Sequence, residues 1–207
     1  MNAQPAARTE SLPGRRNRIE GIAWQSQNAN QWCWAACCVM IAEALGLRRL
    51  PGNLPLTQCG VVALTLGRAP ETLCRQPTRA LSGLCARFDC IEDGAREIGG
   101  VVSETLRRML PPDLPVAHSI HGLERIDDAE IRGMIDRGRP VAVLCEIPTA
   151  GGGSRNHYVL IIGYDTGCGD YTIWDPDPRH GLRRISRGRW YELGTWVGAV
   201  VLRDAAA

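Results

Sequence analysis

The hydrophobic residues near the start of the chain recur at helical spacing. One predicted buried stripe consists of residues at positions i, i+4, i+7 and i+11: Trp34, Cys38, Ile41 and Leu45. This spacing predicts a helix that begins near residue 32, with Asn30 as a candidate cap, and ends at Gly46. Three further helices are predicted, over residues 56–66, 103–110 and 127–137.

The pattern changes after Gly138. Four later segments are rich in Val, Ile, Tyr and Trp and are separated by Gly, Asp and Pro: residues 141–147, 157–164, 171–175 and 195–202. Such segments are typical of strands joined by turns. The sequence therefore predicts an α+β fold in one domain over residues 21–207, mainly helical over 21–137 and mainly antiparallel sheet over 138–207.

Two segments lack this periodicity. Residues 1–20 contain Pro, Gly and several arginines, which predicts a disordered N-terminal tail. The tail has no apolar stretch of the kind found in Sec signal peptides, so we expect either a cytoplasmic location or export by a specialised secretion route. Residues 67–94 contain three Gly residues and three of the cysteines, with little periodicity, which predicts a long loop or insertion.

Composition excludes several classes of function. The chain has 207 residues, of which 44% are hydrophobic, and this is enough for a core. Its formal charge of +2 does not favour nucleic-acid binding, and no apolar run approaches the ~20 residues of a membrane helix. All 24 cationic side chains are arginine. The absence of lysine indicates either a GC-rich genome or a protein that acts inside a foreign cell and avoids ubiquitination.

Nine cysteines are an odd number, so at least one thiol should be unpaired. Cys37 and Cys38 share the first predicted helix and are expected in the core. Four others have two interpretations, two disulfides or a zinc site, although they lack a Cys-x2-Cys unit: Cys59, Cys74, Cys85 and Cys90. We expect no metal or organic cofactor in the catalytic chemistry.

Cys33 stands at the start of the first predicted helix. Unpaired backbone N–H groups and the helix dipole favour a thiolate at this position, which suits a nucleophile. Gln27 lies six residues upstream, and its side-chain amide could join the Cys33 backbone N–H in binding the oxyanion of an acyl-transfer intermediate. Gln25 and Gln31 are alternative donors.

His157 opens one predicted strand and Asp175 closes the next. A hairpin symmetric about Thr166 would place these two residues opposite each other, with Cβ atoms about 5 Å apart. An imidazole and an orienting carboxylate would then meet. A hairpin centred on Gly167 would instead make Asp177 the orienting acid, and Asp165 is expected to serve the turn.

Three motifs in this order resemble the papain-like cysteine peptidases. They are Gln27-x5-Cys33-Trp34-Ala35-Ala36, then His157-Tyr-Val-Leu-Ile-Ile-Gly-Tyr, then Trp174-Asp175-Pro176. The first motif resembles the Gln-Trp-Cys-Trp-Ala-Ala signature of small bacterial members, which include secreted effectors. The chain is also similar, more distantly, to the double-glycine leader peptidases. The resemblance covers residues 24 to 202 and implies a helical left lobe, an antiparallel β right lobe and an active site in the cleft between them.

Transferred to this sequence, the resemblance implies a role for six residues. Cys33 would be the nucleophile, His157 the general base and then acid, Asp175 the orienting residue and Gln27 the oxyanion donor. Trp34 and Asn156 are expected to contact the substrate. The best-known members have Asn rather than Asp as the orienting residue.

The implied activity is hydrolysis of peptide bonds through a thioester. The expected partners are a protein or peptide substrate and, for an effector or toxin, a cognate inhibitor or immunity protein; no nucleic acid or membrane is expected. Two alternatives remain open at this point. The same acyl-enzyme chemistry serves a transpeptidase or deamidase, and an inactive papain-like fold can serve as a binding module.

Overall fold

The computed structural model describes residues 15–68, 100–121 and 126–204. Within these ranges the chain forms four α-helices: α1 (Cys33–Ala44), α2 (Gln58–Leu66), α3 (Val102–Met109) and α4 (Asp128–Asp136). The strands of the main sheet are β1 (Arg16–Arg18), β4 (Val116–His121), β5 (Val141–Pro148), β6 (Ser154–Asp165), β7 (Asp170–Asp175), β8 (Gly181–Ser186) and β9 (Thr195–Arg203). A separate small hairpin consists of β2 (Arg49–Leu50) and β3 (Leu54–Pro55).

Strand β6 lies inside the main antiparallel sheet. The strand order is β4-β9-β5-β6-β7-β8, and β1 pairs with the end of β6 over residues 163–165. β6 is buried from His157 to Asp165 on both faces, as its run Val-Leu-Ile-Ile favours for a strand covered on both sides. The observed fold is therefore α+β, as the sequence predicted.

Helix α1 is packed against β6 and is surrounded by α2 and α3. Ten consecutive residues, Cys33 to Ala42, are buried. The single stripe predicted from the sequence is therefore too narrow, because a helix covered by a sheet on one side and helices on others is apolar all round. Asn30 does not cap it: the cap position is Trp32, and no side chain caps this end.

The remaining helices follow their local end signals. Thr57 caps α2 by accepting a hydrogen bond from the Gly60 amide (3.1 Å), and Gly67 ends the helix in the left-handed conformation. Asp127 caps α4 through the Glu130 amide (2.6 Å). No helix in the described ranges is long and apolar enough to cross a membrane.

Three strands of the main sheet differ from the sequence prediction. β1 lies within residues 1–20, the segment predicted to be a disordered tail, because its backbone pairs with the free end of β6 and Arg16 binds the carboxylate of Asp165 (Nε to Oδ2, 2.7 Å). β4 lies before residue 138 yet joins the sheet beside β9, so the predicted boundary between helical and β regions does not hold at this strand. β8 was not predicted. The predicted loop at residues 67–94 falls almost entirely outside the described residues.

Candidate active site

Cys33 is the first residue of α1 and is buried. The amides of the first helical turn have no intrahelical acceptor, so the helix dipole and these N–H groups favour negative charge at this end. The backbone N–H of Tyr158 also donates to the Cys33 Sγ at 3.5 Å. The sulfur therefore lies beside two sources of positive potential.

His157 and Asp175 are in contact and both are buried. The His157 Nε2–H donates to Asp175 Oδ1 at 2.7 Å, and the other ring nitrogen is left for Cys33, with which His157 also hydrogen-bonds. The structure thus brings the predicted thiol, imidazole and carboxylate together in one chain of contacts.

The register that produces this contact is the one centred on Gly167, not the one centred on Thr166. Leu160 pairs with Trp174 and Ile161 with Ile173, and the pairing shifts by one residue before Gly163. Asp175 therefore lies diagonal to His157 rather than opposite it, and a bulge in β6 shifts the pairing again nearer the turn. This register was expected to make Asp177 the orienting acid, but Asp175 makes the contact with His157. Diagonal neighbours on one face of a sheet are still within reach of a long side chain.

Asp175 is held by further partners besides His157. Its Oδ1 accepts the Asp177 backbone amide at 2.9 Å, and its Oδ2 lies 3.6 Å from the Arg183 guanidinium. These contacts help to hold the carboxylate in place beside the imidazole.

Asp177, the alternative orienting acid, binds arginine instead of His157. Its Oδ1 accepts the Arg179 amide (3.0 Å) and Nε (2.9 Å). The hydrogen bond from the Arg179 side chain holds the pKa of this carboxyl well below its usual range. Asp165 accepts the Gly167 amide (3.0 Å) and so supports the β6–β7 turn.

The environment of His157 favours its protonated form. Burial lowers the pKa of this imidazole, but the hydrogen bonds to Asp175 and Cys33, and their negative charges, outweigh burial and raise the pKa to about 9. An imidazolium beside the Cys33 sulfur is therefore present at neutral pH.

Other thiols near the site are kept protonated. Burial, and then the charge of Cys33, raise the pKa of Cys37 and Cys38 well above the usual range. Burial raises the pKa of Cys145, which faces His157 across β5 and β6, to about 12. These cysteines are core residues beside the site, as predicted for Cys37 and Cys38.

Gln27 lies beside the site, in a segment held by hydrogen bonds. Its backbone amide donates to the Pro176 carbonyl at 2.8 Å, and its side-chain Nε2 donates to the Asn30 carbonyl at 3.0 Å. One of the two Nε2 hydrogens is thereby used. Of the alternative donors, Gln25 binds Glu43 (3.3 Å), whereas Gln31 lines the cavity at Cys33.

Gln58 supports Gln27 and was not found from the sequence. Its side chain is buried, accepts the Asn28 amide at 2.8 Å and donates to the Ser26 carbonyl at 2.7 Å. It thus clamps the residues on both sides of Gln27. A polar residue in the first turn of α2 gives no local signal of this role, since the contact spans about 30 residues.

A cavity of about 330 Å³ opens beside Cys33. Trp34 and Asn156, the two residues predicted to contact substrate, both line it, together with Leu144 and Tyr158. Gly100 lies against the Trp34 indole so closely that a Cβ at this position would overlap the ring. The cavity is a largely apolar space next to the sulfur.

Comparison with known proteins found likeness only in structure. No protein-family model matches the sequence, and no curated protein does. The structure is similar to the peptidase domain of Streptococcus ComA, a bi-functional ABC transporter involved in quorum sensing, at 15% identity and a TM-score of 0.48 over 89% of this chain and 100% of that one. It is also similar to xylellain, a cysteine protease from Xylella fastidiosa, at 11% identity and a TM-score of 0.40 over 92% and 86%. At such distances the functional argument rests on the site itself.

The predicted cysteine site for a metal or disulfides lies mostly outside the described residues. Cys59 is buried in α2, while Cys74, Cys85 and Cys90 lie outside the described residues. Within the described ranges, no group of three or more His, Cys, Asp and Glu side chains is placed to hold a metal ion.

Proposed function

We propose that this chain is a cysteine peptidase that hydrolyses peptide bonds through a thioester. The observation that carries the proposal is the buried contact chain of Cys33, His157 and Asp175, with the sulfur at a helix N-terminus and a 2.7 Å hydrogen bond from imidazole to carboxylate. A thiol paired with an oriented imidazole is the arrangement that nucleophilic catalysis requires.

In the first half of the reaction the Cys33 thiolate attacks the peptide carbonyl carbon. The carbonyl π electrons move to oxygen and form a tetrahedral oxyanion. The oxyanion then re-forms the C=O bond as the C–N bond breaks. The C–N electron pair takes a proton from the His157 imidazolium, so the amine leaves neutral and a thioester remains on Cys33.

In the second half water hydrolyses the thioester. The water oxygen attacks the carbonyl carbon while neutral His157 removes a proton from the water. The C–S bond then breaks and its electrons return to sulfur. The thiolate–imidazolium pair is restored and the carboxylic acid leaves. Asp175 holds the ring in place and stabilises its positive charge in both halves.

Gln27 is proposed to stabilise the oxyanion. Its Nε2 uses one hydrogen on Asn30, and the second hydrogen, with the Cys33 backbone N–H, would supply the two donors that an oxyanion needs. Gln58 keeps the Gln27 backbone in position from both sides.

The sequence supports a finer proposal about biological role. The Gln-Trp-Cys-Trp-Ala-Ala resemblance and the lysine-free composition favour an effector or toxin that cleaves one or a few protein targets. A Cys33→Ala variant should capture such a target from lysate of a target cell without cleaving it. Comparable degradation of casein and unrelated proteins by the active enzyme would contradict this role.

A peptide-library digest tests the peptidase proposal. We expect wild-type protein, in reducing buffer, to generate new peptide termini that mass spectrometry detects, and we expect Cys33→Ala and His157→Gln to generate none. Cys37→Ala is the matched control, because it removes a thiol one helical turn away and should retain activity. Cleavage that survives Cys33→Ala would refute the assignment.

A further inference from the structure

A second, larger cavity lies on the His157 side of the site. It has a volume of about 560 Å³, within the range of ligand-binding pockets, and His157 and Asp175 form part of its wall. The smaller cavity is lined by Cys33. The hydrogen-bonded pair of thiol and imidazole therefore lies between two cavities.

The proposed mechanism predicts which part of the substrate lies in which cavity. The acyl part of the substrate stays bonded to the Cys33 sulfur, whereas the leaving amine must come within hydrogen-bond reach of His157 to accept its proton. We therefore expect the substrate residues after the scissile bond to lie in the cavity lined by His157.

The carboxylates of the larger cavity already have cationic partners. The pairs are Asp175 with His157, Asp177 with Arg179, and Glu192 with Arg189. None of these carboxylates needs a further cation for neutrality.

Two arginines add positive charge beyond these pairs. Arg155 lies 3.6 Å from Asp177, and Arg183 lies 3.6 Å from Asp175. Within the described part of the chain, neither guanidinium makes a hydrogen bond. Their side chains are 37% and 25% exposed, so they are partly shielded from water and retain N–H donors that can reach a ligand. Partly desolvated guanidinium groups of this kind bind carboxylates well.

We propose that Arg155 and Arg183 form a carboxylate-binding subsite for the substrate segment after the scissile bond. This inference rests on the proposed peptidase function for its direction and names the substrate class of that site: peptides with an acidic side chain or a free C-terminal carboxylate shortly after the cleaved bond.

Binding of three dye-labelled peptides to the Cys33→Ala variant tests the subsite. An uncharged dye is attached to a hexapeptide amide of Ala and Gly that ends in two Asp residues, to its Asn counterpart, and to the Asn counterpart with a free C-terminal carboxylate. Fluorescence anisotropy at moderate salt gives each Kd. We expect one or both carboxylate-bearing peptides to bind at least about tenfold more tightly than the neutral amide, as charge-assisted hydrogen bonds allow. The peptide that binds more tightly than the neutral amide shows whether the subsite recognises a side-chain or a C-terminal carboxylate.

Arginine variants test whether Arg155 contributes to this tighter binding. In the Cys33→Ala background, Arg155→Gln should weaken binding of the favoured peptide about fivefold or more. Arg184→Gln is the matched control, because Arg184 lies in the same strand as Arg183 and also pairs with a carboxylate, Asp165, at 3.6 Å; it should change binding less than twofold.

Equal affinity for all three peptides would overturn the subsite, as would equal losses in Arg155→Gln and Arg184→Gln. If Arg155→Gln fails to fold, the three-peptide comparison on Cys33→Ala alone remains decisive. Binding requires no turnover, whereas the peptidase proposal is tested by turnover of the wild type. Failure of one is therefore distinguishable from failure of the other.

Discussion

The protonation state of His157 depends on Asp175, and Asp175→Asn tests this dependence. The change keeps an oxygen that can accept from Nε2 but removes the negative charge. The rise in the pKa of His157 from 6.5 to about 9 corresponds to about 3 kcal/mol in favour of the imidazolium. Asp175 contributes both a hydrogen bond and a charge to this rise. We therefore expect Asp175→Asn to lower the pKa by at least about one, or about 1.4 kcal/mol.

Nuclear magnetic resonance of the ring protons measures this pKa directly. The chain has only four histidines, so the His157 signal can be assigned by its loss in His157→Gln. The wild-type signal should titrate near pH 9, and both Asp175→Asn and Cys33→Ala should titrate lower. A wild-type signal that titrates at or below 6.5, or one unchanged by Asp175→Asn, would refute the reasoning.

The same shift links pH to stability. Because the pKa of His157 is higher in the folded than in the unfolded chain, its contribution is fully present below about pH 6.5 and is lost as pH rises through about 9. Urea unfolding should therefore show a smaller loss of stability over this interval in Asp175→Asn than in the wild type. Equal losses in the two proteins would contradict the linkage.

Further predictions concern neighbouring residues. Gly100→Ala should displace the Trp34 indole and lower kcat/KM several-fold, measured with a cleaved peptide; an unchanged rate would mean that the ring can move without consequence. Gln58→Ala should lower kcat by about tenfold by loosening the oxyanion donor, and Gln58→Glu should not restore it because a carboxylate cannot donate to Ser26; full activity in Gln58→Ala would contradict the clamp. Alkylation at pH 6 followed by peptide mapping should label Cys33 before the other described cysteines, because burial keeps Cys37, Cys38 and Cys145 protonated. Earlier labelling of the exposed Cys168 would contradict this prediction.

The parts of the site that were predictable are those with local signals. Cys33 follows a polar segment and begins an apolar helix, so its place at the N-terminus of α1 could be read from the sequence. His157 lies near the start of β6 and Asp175 ends β7, which is the next strand of the same hairpin, and their proximity follows from that arrangement.

The parts that were not predictable depend on contacts distant in sequence. The β6–β7 hairpin is centred on Gly167 rather than Thr166 near the site and has a bulge before Gly163; the alternation of side chains encodes neither the choice of centre nor the bulge. β8 contains two adjacent arginines at the sheet edge, where polar residues are tolerated and strand signals are weak. The role of Arg183 beside Asp175 was therefore not visible, nor was β1, which becomes a strand only by pairing with β6.

The most direct test of the central claim is intact-mass analysis after treatment with a papain-class epoxide inhibitor. The reagent alkylates a thiolate held beside an imidazolium, so the account predicts one adduct on the wild-type protein, mapped by peptide sequencing to Cys33. Cys33→Ala should carry none under the same conditions. An adduct at another cysteine, or no adduct on folded wild-type protein, would contradict the claim that Cys33 is the activated nucleophile.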